Sequence, residues 1–104
     1  MDLFENVKVE KNANVYFDGR VTSRNIFFTD GSKKTLGVML PGSYEFGTEK
    51  KEIMEIQSGT LKVLLPEETE WVDIKGGTSF EVPANCKFKL EVLELSDYCC
   101  SYVD

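Results

Sequence analysis

Three groups of residues in this chain have types and spacing that could do chemistry, and none contains a histidine, because the sequence has none. The first is cationic: Arg20, Arg24, Lys33 and Lys34 lie on either side of the Asp30-Gly31 turn. If the flanking segments pair as a hairpin, these cations gather at one end of it. A planar guanidinium beside the Thr22 or Ser23 hydroxyl then suits phosphate, because it donates two parallel hydrogen bonds. Arg24 is the strongest of the four, and the plainer alternative is a solvated edge whose lysines guard against aggregation. The second candidate is Glu52, which a strand would aim inward to accept hydrogen bonds from a polar ligand. Its plainer reading is a surface carboxylate paired with Lys50. The third group is aromatic: Tyr44 and Phe46 share the parity of Thr48 and, with Phe80 and Phe88, would line an apolar pocket or simply fill a packed interior.

These residues need strands to hold them. Turn signals recur every ten or so residues, at Asp18-Gly19, Asp30-Gly31, Pro41-Gly42, Ser58-Gly59, Gly76-Gly77 and Pro83-Ala84-Asn85. Asp-Gly supplies the positive φ of tight hairpins, and Pro-Gly fits the centre of a type II turn. Between them, residues 20–28, 35–40, 60–65, 78–82 and 87–95 are rich in Val, Ile, Leu, Phe or Thr. The last run alternates Phe88, Leu90 and Val92 with Lys87, Lys89 and Glu91, which predicts one buried face and one wet face, with Phe88 inward. Residues 49–56 have some helical propensity, but the run is short and stops at Ser58-Gly59, so a hairpin strand is expected. Residues 1–13 are read as an N-terminal arm or extra strand, and 14–104 as the domain. About ten strands and no helix give an all-β fold.

The glycine spacing narrows that class. Gly42, Glu52 and Gly59, with six residues between the last two, and Gly77 followed after five by Pro83, resemble the two signature motifs of a cupin. The expected architecture is a single-domain cupin-type jelly-roll barrel. Cupins use histidines in these motifs to hold a metal. Here those positions carry Thr48, Lys50 and Phe88, so the usual two-histidine-plus-carboxylate site cannot form. An oxygen-only cation site would have just Glu52, Thr48 and Glu55 to draw on, fewer than such ions want. No metal or other cofactor is expected.

Composition limits the partners. At 104 residues the chain is the size of one domain, and its formal charge of −6 repels a phosphate backbone, so a nucleic-acid polymer is not expected. No apolar run is long enough to span a bilayer, and Asp2 and Glu5 ahead of Lys8 are unlike a signal peptide, so the expected location is cytoplasmic and free of membrane. Cys86, Cys99 and Cys100 suit a reducing compartment and are read as packing residues.

A more specific resemblance comes from longer strings. Tyr16-Phe-Asp-Gly-Arg-Val-Thr-Ser-Arg24, Thr35-Leu-Gly-Val-Met-Leu-Pro-Gly42, Tyr44-Glu-Phe-Gly-Thr48, Glu52-Ile-Met-Glu55, Gly77-Thr-Ser-Phe-Glu-Val-Pro83 and Asp97-Tyr-Cys-Cys-Ser-Tyr102 resemble the pyrimidine/purine nucleoside phosphorylases, a histidine-poor branch of the cupins. The resemblance spans about residues 14–104. It implies a homodimeric pentosyltransferase of broad specificity, which uses inorganic phosphate as co-substrate to convert purine and pyrimidine nucleosides to free base and α-D-ribose 1-phosphate. Joined to the residue reading, it gives Arg24 and Glu52 catalytic roles. Arg24, Ser23, Lys33 and Lys34 would hold phosphate, and Tyr44, Phe46, Thr48 and Phe88 the nucleoside. Two other classes compete: a non-catalytic cupin that binds a small polar or sugar-like ligand, and a partner-binding β-domain in which Trp71 would matter.

Overall fold

The structure is a computed structural model that describes residues 3–103. Residues 1, 2 and 104, at the outer ends of the expected arm and domain, lie outside the described residues. Among the described residues eleven strands follow in chain order: β1 (Lys8–Val9), β2 (Asn14–Tyr16), β3 (Val21–Phe27), β4 (Lys33–Met39), β5 (Gly42–Gly47), β6 (Lys51–Ser58), β7 (Thr60–Leu64), β8 (Val72–Lys75), β9 (Thr78–Val82), β10 (Lys87–Val92) and β11 (Ser96–Val103). Among the described residues the one helical element is a single 3-10 turn, Phe17–Gly19, between β2 and β3. It falls at Asp18-Gly19, where a turn is expected from the sequence, and the fold is otherwise built of strands.

Seven strands form one sheet, ordered β1-β3-β4-β11-β6-β9 with β2 also on β3, and four form the other, ordered β5-β10-β7-β8. The two face each other as an open jelly roll, with Val21, Met39, Ile56 and Val82 of the larger sheet meeting Leu61, Val63, Leu90 and Val92 of the smaller in one core. Local pattern explains the strands: in β10 Phe88, Leu90 and Val92 are buried and Lys87, Lys89 and Glu91 exposed. In β6 the helical propensity of the sequence loses to pairing on both sides, with β11 and with β9.

Register aligns the inward residues of the larger sheet into rows. Asn25, Thr35, Cys100, Met54 and Phe80 stand in one, and Ser23, Gly37, Tyr98 and Ile56 in the next. Tyr102 pairs with Glu52, and Lys33 begins β4 beside them. The central strand β11, with Tyr98, Cys100 and Tyr102 on its inner face, thus supplies the middle of the wall.

Candidate functional site

Between the sheets lies a cavity of about 820 Å³, within the usual size range of small-molecule sites. Its two sides differ in chemistry. The larger sheet contributes Ser23, Thr35, Tyr98, Tyr102 and Cys100 around Glu52 and Lys33, while the smaller contributes the rings of Phe46 and Phe88. Phe46 stacks on Phe88 with ring centres 5.8 Å apart, and Phe80 meets Phe88 edge-on at 6.5 Å. The larger sheet's wall offers hydroxyls and charge beside Met39 and Met54, and the smaller sheet's wall flat apolar faces, with Glu45 on the strand of Phe46 and Glu49 and Lys50 just beyond it.

Glu52 faces this space, and the Cys100 thiol donates to its Oε1 across 3.5 Å. Burial pushes its carboxyl above the ordinary value of 4.5, opposed by the thiol hydrogen bond and by the charge of Lys33. The groups around it are held neutral. Burial pushes Tyr98 up to about 12, although a hydrogen bond with Ser23 opposes this, and burial likewise raises Tyr102 against its hydrogen bond with Thr35. Burial and the neighbouring Glu52 charge raise the Cys100 thiol. The wall therefore presents O–H and S–H groups around Glu52 and Lys33. Lys33 is positioned by an aromatic face, its Nζ 4.6 Å from the centre of the Tyr102 ring.

The residues expected from sequence divide between inside and outside. Glu52, Lys33, Ser23, Phe46 and Phe88 line the cavity together. The four cations do not converge as the hairpin reading expected. Arg24 is exposed and opens onto a shallow groove on the other side of the sheet, with Val9, Ile26, Leu36 and Val38. Strand geometry is the reason, because consecutive residues such as Ser23 and Arg24 point to opposite faces. Lys34 faces away from the cavity in the same way, its Nζ 5.6 Å from the Phe4 ring and 5.7 Å from the Phe28 ring. Arg20 lies over the Tyr44 ring at 5.5 Å. Tyr44 is buried beneath the pocket wall, its hydroxyl donating to the Leu40 carbonyl oxygen at 2.6 Å. Thr48 lies just beyond β5, and its hydroxyl donates to the Pro83 carbonyl oxygen at 2.7 Å and accepts from the Cys86 backbone N–H at 3.2 Å. It closes a loop and does not line the cavity.

Among the lining residues that the residue-by-residue reading did not assign to the site are Tyr16, Phe17, Thr35, Tyr98, Cys100 and Tyr102. The signal for three of them was the alternation Tyr98, Cys100, Tyr102, which marks a single face of β11. The donor set also fails to fit a cupin metal. Phe88 stacks where a histidine would ligate, Thr48 is tied to Pro83, and among the described residues no three Asp, Glu or Cys side chains converge to hold an ion. Nor is any described helix long and apolar enough to cross a membrane.

An open jelly roll with a ligand-sized cavity at its centre places the chain in the cupin fold class. In keeping with that, the cupin domain of Schizosaccharomyces pombe Cnp3 superposes with a TM-score of 0.67 at 14% identity, over 89% of this chain and 69% of that one. More specific likenesses go further. The pyrimidine/purine nucleoside phosphorylase family model matches residues 11–102. The pyrimidine/purine nucleoside phosphorylase of Wolinella succinogenes is 64% identical over 99% of this chain and 98% of its own. A solved Acinetobacter sp. ADP1 protein of unknown function superposes with a TM-score of 0.94 at 44% identity, covering 97% of this chain and 98% of that one. The chain belongs to the pyrimidine/purine nucleoside phosphorylase family and is an enzyme of that type.

Proposed function

We propose that the protein cleaves both purine and pyrimidine nucleosides with inorganic phosphate, releasing the free base and α-D-ribose 1-phosphate. The observation that carries this reading is the opposition of the two cavity walls. A nucleoside is itself divided in this way, with a flat base on one side of the glycosidic bond and a hydroxylated sugar on the other. Stacking on Phe46 and Phe88 takes any base, because every base has a π-face, and this supports broad specificity.

In the proposed reaction a phosphate oxygen forms a bond to the anomeric carbon on the face opposite the base. The C–N bond breaks, and its electron pair leaves with the base, which takes up a proton. Glu52 accepts hydrogen bonds from the ribose hydroxyls and stabilises the positive charge that grows on the sugar. Lys33 holds phosphate, with Ser23, Tyr98 and Tyr102 hydroxyls completing the polar side. Arg24 and Lys34 have no part in this arrangement, and Tyr44 acts by supporting Phe46. Holding both reactants in one cavity supplies much of the acceleration without a histidine or a cofactor. The reading extends to a cytoplasmic homodimer, for which the molar mass in solution by light scattering is the test.

The decisive experiment measures base release from uridine and from adenosine, with and without phosphate, after treatment with a chelator. Phosphate-dependent release of both bases, unchanged by chelation, is expected. Binding of nucleoside without base release would favour a non-catalytic cupin, and loss of activity on chelation would restore a metal to the site.

A further inference from the structure

At the mouth of the cavity, Tyr16 and Phe17 remain 44% and 36% exposed. They are not there by default. Phe17 and Asp18 both hold left-handed backbone, at φ 52° and 56°, and Gly19 follows at 90°. Phenylalanine rarely takes this conformation, and such outliers persist where the surroundings enforce them and often where a ligand is handled. The enforcement is visible: the Arg20 backbone N–H and its Nε both donate to the Phe17 carbonyl oxygen, at 3.2 and 3.3 Å. The Arg20 guanidinium is in turn laid over Tyr44.

This turn brings the Phe17 ring to 4.9 Å from Tyr44 and 5.4 Å from Phe46, the latter edge to face at 88°. Tyr16 also meets Phe46 edge to face, at 6.2 Å and 81°. Phe46 is thus backed by Phe88 and flanked edge-on by two rings that keep part of their surface open to the cavity. We propose that the Tyr16–Phe17 turn is a base-binding element, whose open ring surfaces contact the nucleoside base and leave the sugar and phosphate untouched. The inference rests on the nucleoside reading above, and it adds a binding role for a turn outside both sheets' inner faces.

Calorimetric binding of uridine, adenosine and ribose 1-phosphate, without catalysis, tests it. Phe17→Leu should bind both nucleosides roughly tenfold more weakly, the lower part of the range for losing one aromatic stack, and bind ribose 1-phosphate within about twofold of wild type. Phe17→Tyr should restore nucleoside binding. Wild-type nucleoside affinity in Phe17→Leu would overturn the proposal. So would equal weakening for ribose 1-phosphate in a variant whose melting temperature is unchanged. Should Phe17→Leu not fold, the more exposed Tyr16→Leu decides: selective loss of nucleoside affinity supports the proposal, and unchanged affinity overturns it. The catalytic reading fails separately. If wild type binds nucleosides through Phe17 but releases no base with phosphate, phosphorolysis is wrong and the base contact stands. A wild type that binds no nucleoside at all overturns both.

Discussion

The thiol of Cys100 donates to the carboxylate of Glu52 from the neighbouring strand, across 3.5 Å on the inner face of the larger sheet. A thiol is a weak donor, so it orients the carboxylate while leaving most of its capacity to accept hydrogen bonds for a ligand. Burial around the pair has a measurable outcome at Glu52.

Because burial raises the Glu52 value above 4.5, the folded state holds this proton more tightly than the unfolded chain. Ionising Glu52 therefore costs stability as pH rises from the unfolded value through the folded one. Glu52→Gln removes that cost, so its melting temperature relative to wild type should be higher at about pH 7 than at about pH 4. The same variant should lose about 100-fold or more in kcat, as when one preorganised transition-state contact is removed. Melts at both pH values and initial rates check the pair of effects. A constant melting gap would mean that Glu52 is solvated.

Lys33 over Tyr102 leads to a contrast among cations. Lys33→Met should raise KM for phosphate by about tenfold with little change in KM for nucleoside, since its charge meets phosphate alone. Tyr102→Phe keeps the ring under Lys33 and loses only the hydroxyl, so it should raise the phosphate KM less than Lys33→Met does, whereas Tyr102→Leu should move toward Lys33→Met. Arg24→Ala, on the far side of the sheet, should leave both constants within about twofold, as distant surface changes do. Initial rates with each substrate varied in turn decide it, and a large effect at Arg24 would return phosphate to the position expected from sequence.

Thr48→Val tests whether that residue serves the fold or the ligand. It leaves the Cys86 N–H without its side-chain acceptor and removes the donor to Pro83, which should cost about 1–3 kcal/mol in urea unfolding. KM for nucleoside should not move in the folded fraction, and a raised KM at unchanged stability would put Thr48 back in the site.

The glycines give a graded series. A Cβ at Gly59, where φ is 99°, would come within 2.5 Å of the Leu95 carbonyl oxygen and of Ser96 Oγ, so Gly59→Ala should cost about 3 kcal/mol or more from backbone strain and collision together. At Gly77, with φ 89° and open space around it, alanine meets only the backbone penalty, about 1 kcal/mol. Denaturant midpoints of the two variants check the order, and equal losses would remove the collision from the account.

Much of this fold was legible because single strands carry their own evidence. The alternation in β10 and the stop at Ser58-Gly59 located Phe88 and Glu52 on inner faces without any knowledge of their partners. Arg24 shows where local reading failed: closeness in sequence to Ser23 and Lys33 grouped it with them, although one step along a strand reverses the side. Thr48 was assigned by carrying the parity of Phe46 one pair too far, past the end of β5 at Gly47, where the chain turns to meet Cys86. Tyr98 and Tyr102 entered only through the family resemblance and Cys100 otherwise only as a packing residue, because their role depends on β11 lying between β4 and β6. No periodicity within β11 records that pairing.

That placement of β11 ties the site to the way the molecule folds. Lys33, Tyr102 and Glu52 become neighbours only when β4 and β6 both pair with β11, across long separations in the chain. Such distant pairings make folding slow, since the loops must close before the contacts that reward them form. No hairpin taken alone contains the polar wall. Loss of ligand binding and loss of global structure should therefore be one cooperative event, and substrate should protect the whole molecule from unfolding as it occupies the cavity.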